Sequence, residues 1–338
     1  MRDFLIFSYM TNFFSKTFLL LALAAVSACN LSQKSTQEKN NTNTASLTAS
    51  YEITPSAVKE KLDYLASNEL QGRATGSEGI EKAAAYIEDN FKKWRVEPYF
   101  ETYRDSFVVK ELTGYNIVGY LEGEDEDLKN EFIILGAHYD HIGYGKKVDG
   151  DSIANGANDN AAGTVAVMEL AKYFGETKTN GRSILFILFS AEEMGLVGAR
   201  EIASRLKEEE LDLYAMVNFE MIGVPMKDRD YLGYLTGFED SNMAEKFNEY
   251  SGEEVLGFLP EAKQFNLFRR SDNYPFYEEF KVPAQTISTF DFTNYEFYHH
   301  VGDEAEKMDV DHMANLIEAV IPGITKMTNT PTREIKMN

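Results

Sequence analysis

Cysteine is all but missing: the chain holds one, Cys29, so no disulfide can close within it. Positive charge is scarce as well. Lys and Arg number 33 against 55 Asp and Glu, for a net charge of −22. Residues 1–50 carry four basic and two acidic side chains, so the remainder is more acidic still, at −24. A body of that sign excludes nucleic acid as the natural partner, because phosphates need a basic face. It suits a self-repelling surface that tolerates bound cations. No apolar run reaches the roughly 20 residues of a membrane-crossing helix. What is present is ordinary for a globular protein, with 43% apolar and 26% charged residues. A domain of about 300 residues buries enough surface to need neither metal nor disulfide for its core.

The position of the one cysteine is informative. Residues 18–28 read Phe-Leu-Leu-Leu-Ala-Leu-Ala-Ala-Val-Ser-Ala, with Lys16 just before them and Cys29 just after. A short apolar core behind a positive charge is a signal-peptide pattern. Small residues directly ahead of the cysteine resemble a bacterial lipoprotein signal, which implies cleavage before Cys29 and a lipid on its sulfur. An ordinary secretory signal with a chance cysteine is the plainer alternative. Met10 is the more natural start of such a signal. Of residues 30–50, 14 of 21 are Asn, Ser, Thr or Gln. That stretch cannot bury a core and reads as a tether. The expected layout is a signal over 1–28, a tether over 29–50, one domain over 51–328 and a tail over 329–338. The expected location is the cell envelope, with the domain exported and held to a membrane by lipid.

Helix signals open the domain. Thr54 can cap, Pro55 suits the first turn, and Val58, Leu62 and Leu65 share a face. A second stripe runs Ile80, Ala84, Ile87, Phe91, Trp94, where Trp94 reads as core. Short apolar strands follow at 115–121, 132–137, 183–190 and 214–219, separated by helical stretches at 161–174, 195–207 and 243–250. Continuous apolar strands imply burial on both sheet faces. Their alternation with helices predicts an α/β three-layer sandwich, a mixed sheet with parallel central strands.

The unusual polar residues fall at the strand ends: His138, Asp140 and His141; Asn158-Asp159-Asn160; Glu192-Glu193; Glu220; and, in a loop beyond Ser288, His299-His300. Each cluster alone has a bland explanation: a surface pair, a helix cap, a solvated charge run, a loop. Together they place imidazole and carboxylate groups along one sheet edge, where open α/β sheets bind ligands. His312, beside a C-terminal helix, reads as structural.

The motifs G-A-H-Y-D-H, G-A-N-D-N-A-A-G, F-S-A-E-E-M-G, N-F-E-M-I-G, R-S-D-N-Y-P-F-Y and Y-H-H, in this order, resemble the zinc-dependent exopeptidase family of secreted bacterial leucyl aminopeptidases, glutamate carboxypeptidase II and animal-type glutaminyl cyclases. The stretch 65–77 resembles that family's opening segment. The resemblance implies two zinc ions per chain, held by His138, Asp159, Glu193, Glu220 and His299, with Asp159 as the bridge. It implies Glu192 as general base and Asp140 as the carboxylate that orients His138. Tyr298 is a candidate donor to the developing oxyanion, with simple packing as the alternative. These residue types suit the chemistry: imidazole and carboxylate bind zinc, and a free carboxylate nearby can shuttle a proton.

Three positions depart from the family pattern. Glu220 is one methylene longer than the usual aspartate. Asn273 stands where relatives often have histidine, and no proline follows His299. The segment between Pro98 and Asn130 is too short for an inserted lid, which implies an open site. The expected activity is hydrolysis of N-terminal residues from peptides. A glutaminyl cyclase and a carboxypeptidase or dipeptidase are the alternatives. For the latter, Arg269 and Arg270 are candidates to bind a substrate carboxylate, with simple surface solvation as the plainer alternative.

Overall fold

The computed structural model of the protein describes residues 51–338. The signal, Cys29 and the tether lie outside the described residues. Two helices come first, α1 (Pro55–Leu65) and α2 (Glu78–Lys93). Both start where the sequence offers a cap: Thr54 Oγ1 accepts the Ala57 N–H at 3.3 Å, and Ser77 Oγ the Ile80 N–H at 3.3 Å. The short strand β1 (Glu97–Pro98), β2 (Arg104–Val109), β3 (Leu112–Leu121), β4 (Phe132–His138) and the small hairpin β5 (Tyr144–Val148) and β6 (Asp151–Ile153) follow. Then come α3 (Ala162–Thr177), β7 (Ser183–Phe189), α4 (Val197–Glu208), β8 (Leu213–Glu220) and β9 (Gly233–Leu235). The chain continues through α5 (Met243–Ser251), β10 (Leu256–Gly257), α6 (Pro260–Gln264), α7 (Asn273–Phe280), β11 (Ala284–Ser288) and α8 (Val310–Asn329).

Nine strands form one sheet in the order β1-β3-β7-β4-β8-β11-β9-β10, with β2 paired to β3. The centre is parallel: β7, β4, β8 and β11 run together, so their carboxyl ends share one edge. β3 joins β7 antiparallel, and so does β9 on β11, making the sheet mixed as expected.

The continuous apolar strands are explained by the layers. In β7, Ile184, Phe186 and Leu188 enter the larger core cluster, while Leu185, Ile187 and Phe189 enter a second one on the opposite face. Side chains alternate faces along a strand, so both parities must be apolar where helices cover both sides. On the larger side, α3 packs between the sheet and α1 and α8. Nearly all its residues are buried, which is why it lacks a polar face. On the other side, α4 and α7 pack together over Ile202, Leu206 and Phe276.

Two differences from the sequence reading stand out. The strand at 183–190 stops at Phe189, and the helix expected from 195 begins at Val197, because Ala191 and Leu196 both take left-handed φ, 57° and 60°. Residues 329–338 are not a tail. Ile335 is 1% exposed, its N–H donates to the Tyr214 hydroxyl at 2.9 Å, and the Arg333 guanidinium reaches Glu131 and Asp212. An apolar anchor, a charge-paired arginine and backbone hydrogen bonds dock the segment against the domain.

Candidate active site

The site stands on the carboxyl edge of the parallel strands. His138 ends β4 and Glu220 ends β8, so the sheet itself fixes both. His138 Nδ1 lies 3.1 Å from the Asp140 backbone carbonyl. A carbonyl only accepts, so Nδ1 donates its proton there, and Nε2 is the nitrogen turned toward Asp159 and Glu220. The Asp140 carboxylate, expected to orient this ring, is 3.7 Å away and engaged elsewhere. Its oxygens accept the Glu192 N–H at 3.2 Å and the Thr75 hydroxyl at 3.3 Å. The ring meets the Asp140 carbonyl instead of its carboxylate, because the chain turns after β4 and presents that carbonyl to it.

Asp159 is not the cap of α3. The N-cap is Ala161, and the first-turn N–H of Gly163 donates to Asn160 Oδ1 at 2.9 Å. A Cβ at Gly163 would fall 2.4 Å from the Phe219 carbonyl, so glycine lets the helix start against β8. The Asp159 side chain is thereby free, and it is 3% exposed. Its Oδ1 lies 3.4 Å from His138 Nε2, and its Oδ2 lies 3.2 Å from His299 Nε2. Asp303 holds the loop, accepting the Asn158 and Asp159 N–H groups at 2.8 and 3.0 Å and the Tyr295 hydroxyl at 2.5 Å.

Glu192 and Glu193 sit in the turn after β7, where strand alternation has ended and both side chains reach the site. Glu193 places Oε2 at 3.0 Å from His299 Nε2 and Oε1 at 2.9 Å from His141 Nδ1. Glu220 Oε1 is 3.1 Å from His138 Nε2, while its Oε2 accepts from the Ser271 hydroxyl at 2.7 Å. Left-handed Met221, φ 49°, follows at once. The extra methylene therefore does not carry the carboxylate away from His138.

Two donor groups result: His138, Asp159 and Glu220; and His141, Asp159, Glu193 and His299. Within each group the ligand atoms all lie within 4.8 Å of one another. Zinc with ligands about 2.0–2.2 Å away puts tetrahedral neighbours roughly 3.3 Å apart. The separations above, 2.9 to 3.4 Å, fit that spacing. Asp159 Oδ2 is also buried with no hydrogen-bond partner, which a bound cation would satisfy.

The charges interlock. Burial opposes a charged His138, but Glu220, Glu192, Asp140 and Asp159 outweigh it and hold the ring's pKa well above its ordinary value. The close carboxylates of Asp159 and Glu193 push His299 up to about 10. Burial would raise Asp159, yet its contacts with His138 and His299 bring it below the usual carboxylate range. Glu192 goes the other way: burial, against the pull of His138 and with Asp272, Glu220 and Glu193 adding, holds it well above that range.

Beside the carboxylates a cavity opens, lined by Glu192, Asp159 and Glu220 at one end and by Tyr234, Leu267, Phe290, Phe292 and Tyr298. Tyr298 is half exposed and stacks on His299 with ring centroids 4.0 Å apart. Arg270 also lines the cavity, whereas Arg269 lies over the Tyr274 ring. His300 stays out: its Nδ1 accepts the Gly302 N–H at 2.8 Å. Asn273 is scaffold, donating to the Phe268 and Ala284 carbonyls and accepting from Thr286. His312 is also away from the site, in the first turn of α8.

Sequence reasoning gave no role to Arg73. It is fully buried and donates to the carbonyls of Leu65, Tyr139, Asn155 and Gly156, tying the His138–His141 loop to the loop before Asp159. Asp303 and Asp272 were missed too. Burial pushes the Asp272 carboxyl well above its ordinary value, and neither oxygen has a partner. An arginine in a Gly-rich stretch and aspartates in loops carry no signal in a single sequence.

The profile of Peptidase family M28 matches residues 116–323, more than half of the chain. The chain belongs to peptidase family M28. Among curated relatives, a probable zinc metalloprotease of Pyrenophora tritici-repentis is 35% identical over 107 residues, 32% of this chain and 24% of that protein. The chain thus spans about a quarter of that relative. Two solved structures share the fold. The LapA aminopeptidase of Legionella pneumophila superposes with a TM-score of 0.64 at 21% identity, covering 87% of this chain and 75% of that one. A glutaminyl cyclase of Porphyromonas gingivalis superposes with 0.63 at 14% identity, covering 81% and 98%. The α/β fold with its parallel centre is therefore the one expected from the sequence.

Proposed function

We propose that this M28 protein is a two-zinc aminopeptidase that removes N-terminal residues from peptides. The observation that carries the reading is Asp159, whose two carboxylate oxygens face two separate donor groups. His138, Asp159 and Glu220 would hold one ion, and Asp159, Glu193 and His299 the other. When bound, zinc acts as a Lewis acid and makes water acidic near neutral pH.

The chain's own groups supply the rest. Glu192 belongs to neither donor group yet lines the same cavity. It is the general base, accepting the proton of the attacking water and passing it to the leaving amine. A carboxylate whose proton affinity is raised by burial suits transfer near neutral pH. Asp140 positions it by holding its backbone N–H. Burial and the surrounding carboxylates keep the Tyr298 phenol protonated, so it can donate to a developing oxyanion at the cavity wall. Glu192 and Glu220 at the inner end favour a cationic N-terminal amine. Leu267, Phe290 and Phe292 offer an apolar seat for the first side chain. Arg270 in the same lining favours a second reading, a carboxypeptidase or dipeptidase that grips a substrate carboxylate. The cyclase alternative rests on fold alone.

Turnover of a panel of aminoacyl, C-terminal peptide and N-terminal glutaminyl substrates decides among the three. Aminoacyl substrates should be cleaved, chelation should abolish cleavage, and zinc should restore it. Full activity after exhaustive metal removal would refute the reading. Lipid anchoring at Cys29 in the cell envelope is part of the same proposal, supported by the apolar run and polar tether alone. A Cys29→Ser chain should leave the membrane fraction with its catalysis intact. If it stays with membranes, another anchor exists.

A further inference from the structure

The two donor groups around Asp159 are unequal. The His138 group offers three protein donors and the other offers four, because His141 completes it. We infer that His141 is a protein ligand of the second ion, beyond the five implied by family resemblance, so that this ion is enclosed by protein while the His138 position keeps an open coordination place. The inference rests on the two-zinc reading above.

Four observations support it. First, the spacing fits. His141 Nδ1 lies 2.9 Å from Glu193 Oε1 and 3.8 Å from Asp159 Oδ2, and His299 Nε2 lies 3.0 Å and 3.2 Å from the same two carboxylates. These four separations scatter about the roughly 3.3 Å edge of a tetrahedral zinc site. Second, His141 is 1% exposed, so its ring cannot be a solvated bystander. Third, Asp159 Oδ2, on which the group converges, is buried without a hydrogen-bond partner. Fourth, the ring is held in place. A Cβ on Gly156 would fall 2.5 Å from His141 Cγ, so the imidazole packs against a residue that only glycine can fill, at φ 60°. Arg73 fixes that glycine in turn by donating to its carbonyl at 2.9 Å.

The ring lacks the outer N–H partner that ligand histidines usually have, since its Nε2 is buried and unpartnered. Packing on Gly156 does the orienting instead. The competing role is narrower: His141 Nδ1–H merely donates to Glu193 and binds no metal. The two roles differ in what a single zinc would see. An enclosed site with four protein donors is the tighter one, as in structural zinc sites, and an open three-donor site the weaker.

The test uses the whole metal-free protein and zinc itself. At one equivalent of zinc, X-ray absorption on the wild type should report two imidazoles on the ion, from His141 and His299. In His141→Ala it should report one. In His141→Phe, which keeps a ring against Gly156 but removes both nitrogens, it should also report one. Competition with a chelator should show the first zinc bound at least about 100-fold more weakly in both variants, since even losing an outer partner of a ligand costs 10–100-fold. A wild type with one imidazole at one equivalent, and an affinity the Phe variant leaves unchanged, overturns the inference while leaving the two-zinc reading standing. A wild type that binds no zinc overturns both.

Discussion

The two halves of the site are built from different parts of the fold. The His138 half sits on strand ends: β4 delivers His138 and β8 delivers Glu220. The other half is assembled from loops, with His141 past β4, Glu193 past β7 and His299 far along the chain at left-handed φ 53°. Strand ends inherit their geometry from a sheet buried on both faces. Loops need separate restraints, and the structure supplies them in Arg73 and Asp303. The strand-end half is rigid with few donors, and the loop half is donor-rich with bought-in rigidity. Such a division suits a centre that must both retain metal and leave room for substrate.

The largest effect expected should separate both halves from the base that serves them. Glu192→Gln keeps the shape of a group in neither half and removes its ability to take a proton. Turnover should fall by roughly 10²–10⁴, the usual worth of acid–base catalysis. Bound zinc should stay unchanged. Near-normal turnover in a zinc-loaded variant would reject the assignment, and loss of zinc would place Glu192 among the ligands.

A smaller effect tests the strand-end half alone. Glu220→Ala should cost that half its zinc and most activity while the loop half stays loaded. Glu220→Asp should keep part of both, because Met221 leaves the strand at once and the turn can shift, although the Ser271 contact to Oε2 would be lost. Metal analysis beside kinetics checks it. If Glu220→Ala matches the wild type in zinc and turnover, the strand-end half binds no ion and the comparison collapses.

The same division explains what was legible in the sequence. Strands β4, β7 and β8 announce themselves as apolar runs, and the residues just after them inherit a predictable edge; His138, Glu193 and Glu220 were readable for that reason. Periodicity also places α1, α2 and α3 within a few residues. His141 stood in view within G-A-H-Y-D-H, but nothing in a single sequence says that the chain curls back so that its ring faces Glu193. Arg73 and Asp303 act through backbone groups distant in sequence, and such contacts leave no local pattern. Asp140 was readable as a site residue but not in its contact, since a one-residue turn decides whether carbonyl or carboxylate meets the ring. Residues 329–338 were misread because docking there depends on Ile335 and Arg333 meeting surfaces formed by β8 and the loops around it.

The smallest expected effect concerns protons, and it weighs the two halves against each other. In the metal-free protein His299 has its pKa raised to about 10 by Asp159 and Glu193, and His138 stands well above its ordinary value despite burial. His299 therefore carries its proton at pH 7 and His138 is biased toward its charged form, whereas ligand nitrogens must be free of protons to bind zinc. Zinc binding near pH 7 should release protons, measurable by calorimetry in buffers of different ionisation heat, and its apparent affinity should rise with pH. Linkage sets the sign for the metal-free fold as well. A histidine raised in the folded state stabilises it fully below the unfolded pKa of about 6.5. That contribution fades as pH climbs toward 10, so the metal-free protein should lose thermal stability over this window. Asp159, lowered in the folded state, acts oppositely and withdraws its support as pH falls below about 3.8. With zinc bound, the rings have no proton to lose over the alkaline window, so the loaded protein should hold its melting temperature there. Equal alkaline losses with and without zinc would show that these histidines are not the groups that zinc displaces protons from, and would remove the electrostatic basis for both halves.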